Sequence, residues 1–182
     1  MSRRVVLGIS GSIAAVKATE LVRLLLDRGM EVDCFMTQSA KQFASPLALA
    51  TFCGRPVVDE IFGEEAWKMP YLRAENPDVF VLAPATATLL GRCAHGLAED
   101  AVSLAYITTT APVLMAPAMH PSMWEHPATQ ANVKILRERG VTFVGPYIGP
   151  LADKTRGEGR MSEPQEIVEA VEKVLESRSK KT

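Results

Sequence analysis

The chain predicts an α/β fold, a three-layer, doubly wound parallel sheet in a single domain. Short apolar runs such as Val5-Val6-Leu7-Gly8-Ile9 and Val79-Phe80-Val81-Leu82 lack the apolar/polar alternation of a strand wetted on one face. Strands buried on both faces read this way. Segments of helical periodicity separate the runs, as crossovers between parallel strands require. The 182 residues contain no internal repeat, linker or second periodic block that would mark another domain.

Each element has its own warrant. Val5 to Ile9 is the first strand, followed by a tight Gly/Ser turn. From Ile13 to Asp27, Ile13, Val16, Leu21, Leu24 and Leu25 recur at helical spacing, and Gly29 stops the helix. Val32 to Met36 is the second strand. Val79 to Leu82 and Val113 to Met115 are two more, each running into Ala-Pro, and Val141 to Val144 is the last. Ser162-Glu163-Pro164-Gln165 predicts the final helix start, with a serine cap, glutamine three residues on and proline in the first turn. Ile167, Val168 and Val171 supply its apolar face. The domain is read as residues 1–176, and SRSKKT, residues 177–182, as a charged, disordered tail. Gly145 to Arg160, with four glycines and two prolines, is predicted to be an irregular functional loop.

Composition narrows the function classes. Apolar residues make up 47% and charged residues 23%, and the net charge is −1. That is globular composition with no electrostatic case for nucleic acid or an anionic membrane. No apolar run approaches a transmembrane length. The opening MSRRVVLGISGSIAAVKA is broken by Gly8, Ser10, Gly11 and Ser12, so it is read as mature fold rather than a targeting segment. Cys34, Cys53 and Cys93 are too few and too scattered for a disulfide framework or a zinc cluster, and no metal is expected. All three lie in apolar segments, where reduced buried thiols are expected, and this favours the cytoplasm.

In such folds ligands sit beyond the carboxyl ends of the strands. GISGSIAA, residues 8–15, supplies glycines for a tight turn, a helix N-terminus and two hydroxyls, a combination suited to phosphate. It is not GxGxxG. After the second strand comes MTQSAKQF, with Thr37 and Ser39 opening another helix and no convincing acid for a ribose. Two hydroxyl-bearing helix starts point to a phosphomonoester more than a dinucleotide, against the plainer reading of a turn and a cap. In APATATLLGRCAHGLAED, small residues around Pro84 and Ala85 admit a flat ligand, and Thr86 and Thr88 offer hydroxyls. The plain alternative is a threonine-capped helix. His95 reads as a C-terminal helix residue, and Asp100 as the cap of the next helix, which carries Ser103.

Taken in order, GISGSIAAVK, MTQSAKQF, APATAT, APAMHPSMWEHPATQANVKIL and GEGRMSEP resemble the flavin-containing cysteine decarboxylases over nearly the whole chain. Within them the resemblance is strongest to the phosphopantothenoylcysteine decarboxylases of coenzyme A biosynthesis. It implies a flavodoxin-like or Rossmann-like fold, FMN as cofactor, and homotrimers, often assembled into dodecamers, with flavin at subunit contacts. It covers the flavoprotein half of the fused bacterial enzymes, with no synthetase domain expected. Cofactor contacts carry over to Gly8, Ser10, Gly11, Ser12, Thr37, Ser39, Phe43, Pro84, Ala85, Thr86, Thr88, Ser103 and Met119. Met123 and Trp124 belong to the same motif as a wall of the site.

Three positions depart from the pattern. His120 stands where the family has the asparagine that holds the substrate carboxylate. An imidazole can donate to that carboxylate but is not expected to offer an amide's fixed donor and acceptor pair. Met69-Pro70-Tyr71 stands where the family places a catalytic histidine. The spacing is one residue short, so Pro70 and Tyr71 are the alternatives, with Tyr71 preferred. Asp153 replaces the flap cysteine that returns a proton. Three readings follow: a lyase with altered residues, an FMN-dependent oxidoreductase, or an FMN-binding protein without turnover. Ordinary decarboxylation of phosphopantothenoylcysteine at a normal rate is not expected.

Overall fold

A computed structural model describes residues 2–62, 74–151 and 154–179. Its central sheet has five strands: β1 (Arg4–Ile9), β2 (Glu31–Met36), β3 (Val79–Ala85), β4 (Val113–Pro117) and β5 (Thr142–Phe143). They lie in the order β2-β1-β3-β4-β5, all parallel. Helices α1 (Ala18–Asp27), α2 (Pro46–Cys53), α3 (Ala87–His95), α4 (Ala101–Thr108), α5 (Pro121–Trp124), α6 (Pro127–Glu138) and α7 (Pro164–Ser179) connect and cover them.

The unalternated strands are explained by two cores, one on each face. Val5, Leu7, Ile9, Val79, Val81 and Leu114 pack with Leu21 and Leu25 of α1 and Ile167 and Val171 of α7. Val6, Phe80, Leu82 and Met115 face the other way, against Leu89, Leu90, Val102, Val133 and Leu136 of α3, α4 and α6. Burying one such side chain is worth about 1.5–3 kcal/mol, so a polar residue on either strand face would be costly. The exception is Asp33, 1% exposed, whose Oδ2 accepts from Arg4 Nε at 2.9 Å and Arg55 Nη1 at 3.3 Å. Two guanidinium partners offset the desolvation of that carboxylate.

Four sequence expectations change. The helix foreseen from Ile13 begins as a 3₁₀ segment, Ile13–Lys17, and becomes α-helical at Ala18. Three residues per turn align Ile13 and Val16 on one line that faces outward, 54% and 56% exposed, instead of onto the sheet. The irregular loop is partly a hairpin, β6 (Tyr147–Pro150) antiparallel to β7 (Arg156–Arg160). Its glycines serve close packing: a Cβ at Gly157 would lie 2.4 Å from Pro121 Cγ. The cap of α7 is Glu163, whose carbonyl accepts from Ile167 N–H and whose own N–H donates to Glu166 Oε2 at 2.7 Å. Ser162 Oγ is instead buried and has no hydrogen-bond partner among the described residues. Finally, α7 runs through Ser177 and Arg178 to Ser179, because Arg178 Nη1 reaches the carbonyls of Pro77 and Asp78 at 3.4 and 3.1 Å. Residues 180–182 of the expected tail lie outside the described residues. No helix among the described residues is long and apolar enough to cross a membrane.

Candidate functional site

The chain goes from β1 outward to β2, then returns to the opposite side of β1 for β3. This reversal parts the loops at the strands' carboxyl ends and opens a crevice between β1 and β3. Two adjoining cavities lie there, sharing Ser12, Ala118 and Met119.

The first, about 510 Å³, is lined by the turn after β1 (Ser10, Gly11, Ser12), Thr37 and Ser39 after β2, Thr86 to Leu89 and Arg92 after β3, Asp100, and Met119 and Met123 after β4. Ser10 is a bracket. Its buried Oγ donates to Pro84 O at 2.7 Å and accepts from Thr86 N–H at 3.1 Å, tying the ends of β1 and β3. That commits its proton, so Ser10 contributes shape more than a donor. Ser12 Oγ accepts from Ala14 N–H at 3.3 Å and retains its own proton. Thr37 Oγ1 accepts from Ala40 N–H at 3.2 Å and lies 3.1 Å from Ser39 Oγ. One hydroxyl proton bridges that pair, leaving the other for a ligand. Gly11 is required by the approach of Ser39: a Cβ there would stand 2.3 Å from Ser39 Oγ and 3.0 Å from its backbone carbon.

On the opposite wall Thr86 caps α3 through Leu89 N–H at 3.4 Å, while Thr88 and Arg92 follow one turn apart. Arg92 pairs with Asp100 through Nη1 and reaches Glu99 Oε2 at 3.5 Å through Nη2. Asp100 is held in turn by Ser103, whose N–H donates to Asp100 Oδ1 at 2.8 Å and whose Oγ accepts from Asp100 N–H at 3.2 Å. This capping box orients the carboxylate and through it the guanidinium.

The second cavity, about 590 Å³ and mostly apolar, is lined by Ile13, Ala14, Val16 and Lys17, by His120, by Pro150 and Leu151 of the hairpin, and by Gly159, Arg160 and Met161. His120 caps α5. Its Nδ1 accepts from Ser122 N–H at 3.2 Å and lies 2.8 Å from Ser122 Oγ. The neutral ring therefore carries its proton on Nε2. The cap thus occupies the ring's acceptor nitrogen and leaves Nε2–H as its donor, so the imidazole does not present an amide's donor and acceptor pair. At the rim Glu163 takes Lys17 Nζ at 2.6 Å and also pairs with Arg160. The Lys17 hydrogen bond, followed by that of Arg160, holds the Glu163 carboxyl below the usual range against a desolvation cost.

Of the residues singled out in the sequence, Ser10, Gly11, Ser12, Thr37, Ser39, Thr86, Thr88 and Met119 line the polar cavity, and His120 lines the apolar one. Gly8 lies inside β1, where a Cβ would meet Leu82 Cδ2 at 2.4 Å and Val102 Cγ1 at 2.8 Å. Pro84 and Ala85 are buried within β3, and Ser103 within α4 behind Asp100. Phe43, 40% exposed, lines neither cavity. Trp124 is 7% exposed and belongs to the core, so the apolar wall is Met119 and Met123 without it. Tyr71 and Asp153 lie outside the described residues, although Leu151, close to Asp153 in the chain, lines the apolar cavity. Sequence reasoning missed Arg92, Lys17 and Arg160 as lining residues. The one available signal for Arg92 was its i+4 spacing from Thr88.

These features define a class: doubly wound α/β proteins with a crevice at the switch point, lined by hydroxyl side chains on one side and by an apolar chamber on the other. The flavoprotein family profile matches residues 1–176, and the chain belongs to that family. It is 40% identical over 184 residues to the coenzyme A biosynthesis bifunctional protein CoaBC of Vibrio parahaemolyticus, covering 97% of this chain and 46% of the relative. The chain thus spans less than half the length of the curated relatives it matches. Its structure is similar to that of a PPC decarboxylase mutant complexed with pantothenoylaminoethenethiol (TM-score 0.83, 29% identity, 97% of this chain and 100% of the other). It is also similar to TvaF, an FMN-dependent cysteine decarboxylase from thioviridamide biosynthesis (TM-score 0.76, 30% identity, 80% and 91%).

Proposed function

We propose that this flavoprotein binds FMN in the polar cavity and a cysteine-derived thiol acid in the apolar one, as a phosphopantothenoylcysteine decarboxylase with altered catalytic positions. The observation that carries this reading is the shared wall: Ser12, Ala118 and Met119 border both cavities. A cofactor in one thereby meets a substrate in the other. The donor set suits FMN: three hydroxyl side chains, Ser12, Thr37 and Ser39, surround a turn kept open by Gly11, and the volume is that of a small-molecule site. Bound FMN supplies a two-electron acceptor for the substrate thiol. Ser12, Thr37 and Ser39 would hold its phosphate, and Thr86, Thr88 and Met119 would border the ring.

His120 Nε2–H then donates to the substrate carboxylate, taking over the asparagine's part. Tyr71 and Asp153 remain the consequential departures. A tyrosine is no base at neutral pH, and an ionised aspartate holds almost no proton to return. Losing a positioned acid or base typically slows a reaction about 10²- to 10⁴-fold. The reading therefore expects a slow or incomplete decarboxylation and reduction cycle, with other redox chemistry or cofactor holding as the alternatives.

The purified protein should be yellow and release FMN, identified by mass. Supplied with phosphopantothenoylcysteine, it should release carbon dioxide slowly, while Tyr71→His, His120→Asn and Asp153→Cys together should raise turnover. A colourless protein that takes up no FMN would remove the cofactor assignment. Rapid wild-type formation of phosphopantetheine would remove the impairment.

A further inference from the structure

Cys34 in β2 and Cys53, the last residue of α2, bring their sulfurs to 3.6 Å although 19 positions separate them in the chain. Cys34 is 2% exposed, while Cys53 is partly exposed. The segment they bracket is the one that carries Thr37 and Ser39 into the polar cavity. The third cysteine, Cys93, lies in the opposite core layer, where burial and the nearby Asp100 charge push its thiol up to about 12. It is no competitor for exchange. A disulfide needs its sulfurs about 2 Å apart, so the observed contact requires a closure of about 1.5 Å.

We propose that Cys34 and Cys53 form a reversible dithiol–disulfide site, oxidised by small-molecule disulfides, that staples β2 to α2 around the cavity wall bearing Thr37 and Ser39. The accessible Cys53, as thiolate, attacks one sulfur of glutathione disulfide, forming a mixed disulfide and releasing one glutathione thiolate, which takes up a proton. Cys34, having lost its proton to solvent, then attacks Cys53 Sγ, forming the protein disulfide and releasing the second glutathione. Two protein thiols lose two electrons and two protons, and one glutathione disulfide becomes two thiols. The product closes a loop of about 20 residues, which restricts the unfolded chain more than the folded one.

The test equilibrates the full-length protein with glutathione disulfide, quenches with acid, and alkylates under denaturing conditions before intact-mass measurement and tryptic mapping. Trypsin cuts after Lys41, so the two cysteines fall on separate peptides. The expected result is one alkylated cysteine instead of three, a Cys34–Cys53 cross-linked peptide, alkylated Cys93, and full reversal by dithiothreitol. The oxidised form should also melt about 5 °C higher than the reduced form. Three alkylated cysteines after prolonged oxidation, a lasting glutathione adduct on Cys53, or a cross-link involving Cys93 would overturn the proposal. A lower melting temperature on oxidation would overturn the stapling. The wild-type measurements suffice even if Cys53→Ser folds poorly.

Discussion

Gly159 and Met119 meet backbone to backbone. Met119 N–H donates to Gly159 O at 3.0 Å, and a Cβ on Gly159 would stand 2.1 Å from Met119 O. This contact docks β7 onto the segment after β4 and so closes the apolar cavity beside His120. Gly159→Ala should cost roughly 1–3 kcal/mol, because backbone rather than a pliant side chain must yield. Urea denaturation measures it. Gly91→Ala is the control: its Cβ would face only Asn132 Nδ2 at 3.4 Å, and helix propensity should add up to about 1 kcal/mol of stability. Equal losses at both sites would contradict the docking described.

Gly11 and Ser39 set the polar cradle in a similar way. An alanine at Gly11 forces away Ser39 and the 3₁₀ segment that carries it, Gln38–Gln42, separating the hydroxyls of the two turns. FMN affinity, followed by fluorescence quenching, should fall at least about tenfold, an amount equivalent to one lost hydrogen bond to a charged group. Gly8→Ala should lower stability through Leu82 and Val102 with much less effect on the affinity of the folded fraction. The reverse pattern would place the cofactor elsewhere.

His120 caps α5, and the proposed function gives it a second, separable task. His120→Asn retains a good cap and should change stability by only a few tenths of a kcal/mol, whereas His120→Ala should cost about 0.5–2 kcal/mol. If Nε2–H also holds a substrate carboxylate, His120→Ala should raise the dissociation constant of phosphopantothenoylcysteine about 10- to 100-fold. Unchanged binding in the alanine variant would leave the imidazole only its capping role.

Glu163 predicts a pH dependence. Its depressed carboxyl makes the native state favour the ionised form, so the contribution is present above the ordinary glutamate range and is lost as pH falls through the lowered native value. The side chain is 42% exposed, so solvent screening keeps the effect below about 1 kcal/mol. The stability gap between wild type and Glu163→Gln should persist from pH 7 to about 5 and close below about pH 4. It should also shrink in 1 M salt, about 3 Å of screening length. A gap unchanged at pH 3 would rule out the charge as its source.

Ile13, Val16 and Met123, 54%, 56% and 47% exposed, flank the two cavities. Apolar side chains in that setting are expected to be covered by another copy, in trimers or multiples of them. Light scattering at micromolar concentration should give a mass at least three times the 19.8 kDa of the chain. Val16→Asp should shift it downward. A wild-type monomer would refute the assembly.

Much of this architecture is written locally. The buried strands show as unbroken apolar runs, and Thr86 and Asp100 announce the starts of α3 and α4 because a cap is a contact across three residues. Periodicity failed where the backbone changed its repeat, as at Ile13–Lys17, and where glycines answer to a distant segment, as in the β6–β7 hairpin.

The hydroxyl-bearing turns after β1 and β2 were likewise legible, since hydroxyls and glycines at strand ends are local features. Their convergence was not. Ser10 joins Pro84 across 74 positions, Lys17 joins Glu163 across 146, and Cys34 meets Cys53 across 19. Pattern and propensity act over a few residues and choose the elements. Which side chains then share a cavity depends on the order in which strands stack and on how closely two backbones approach, and no short-range signal in the chain encodes either.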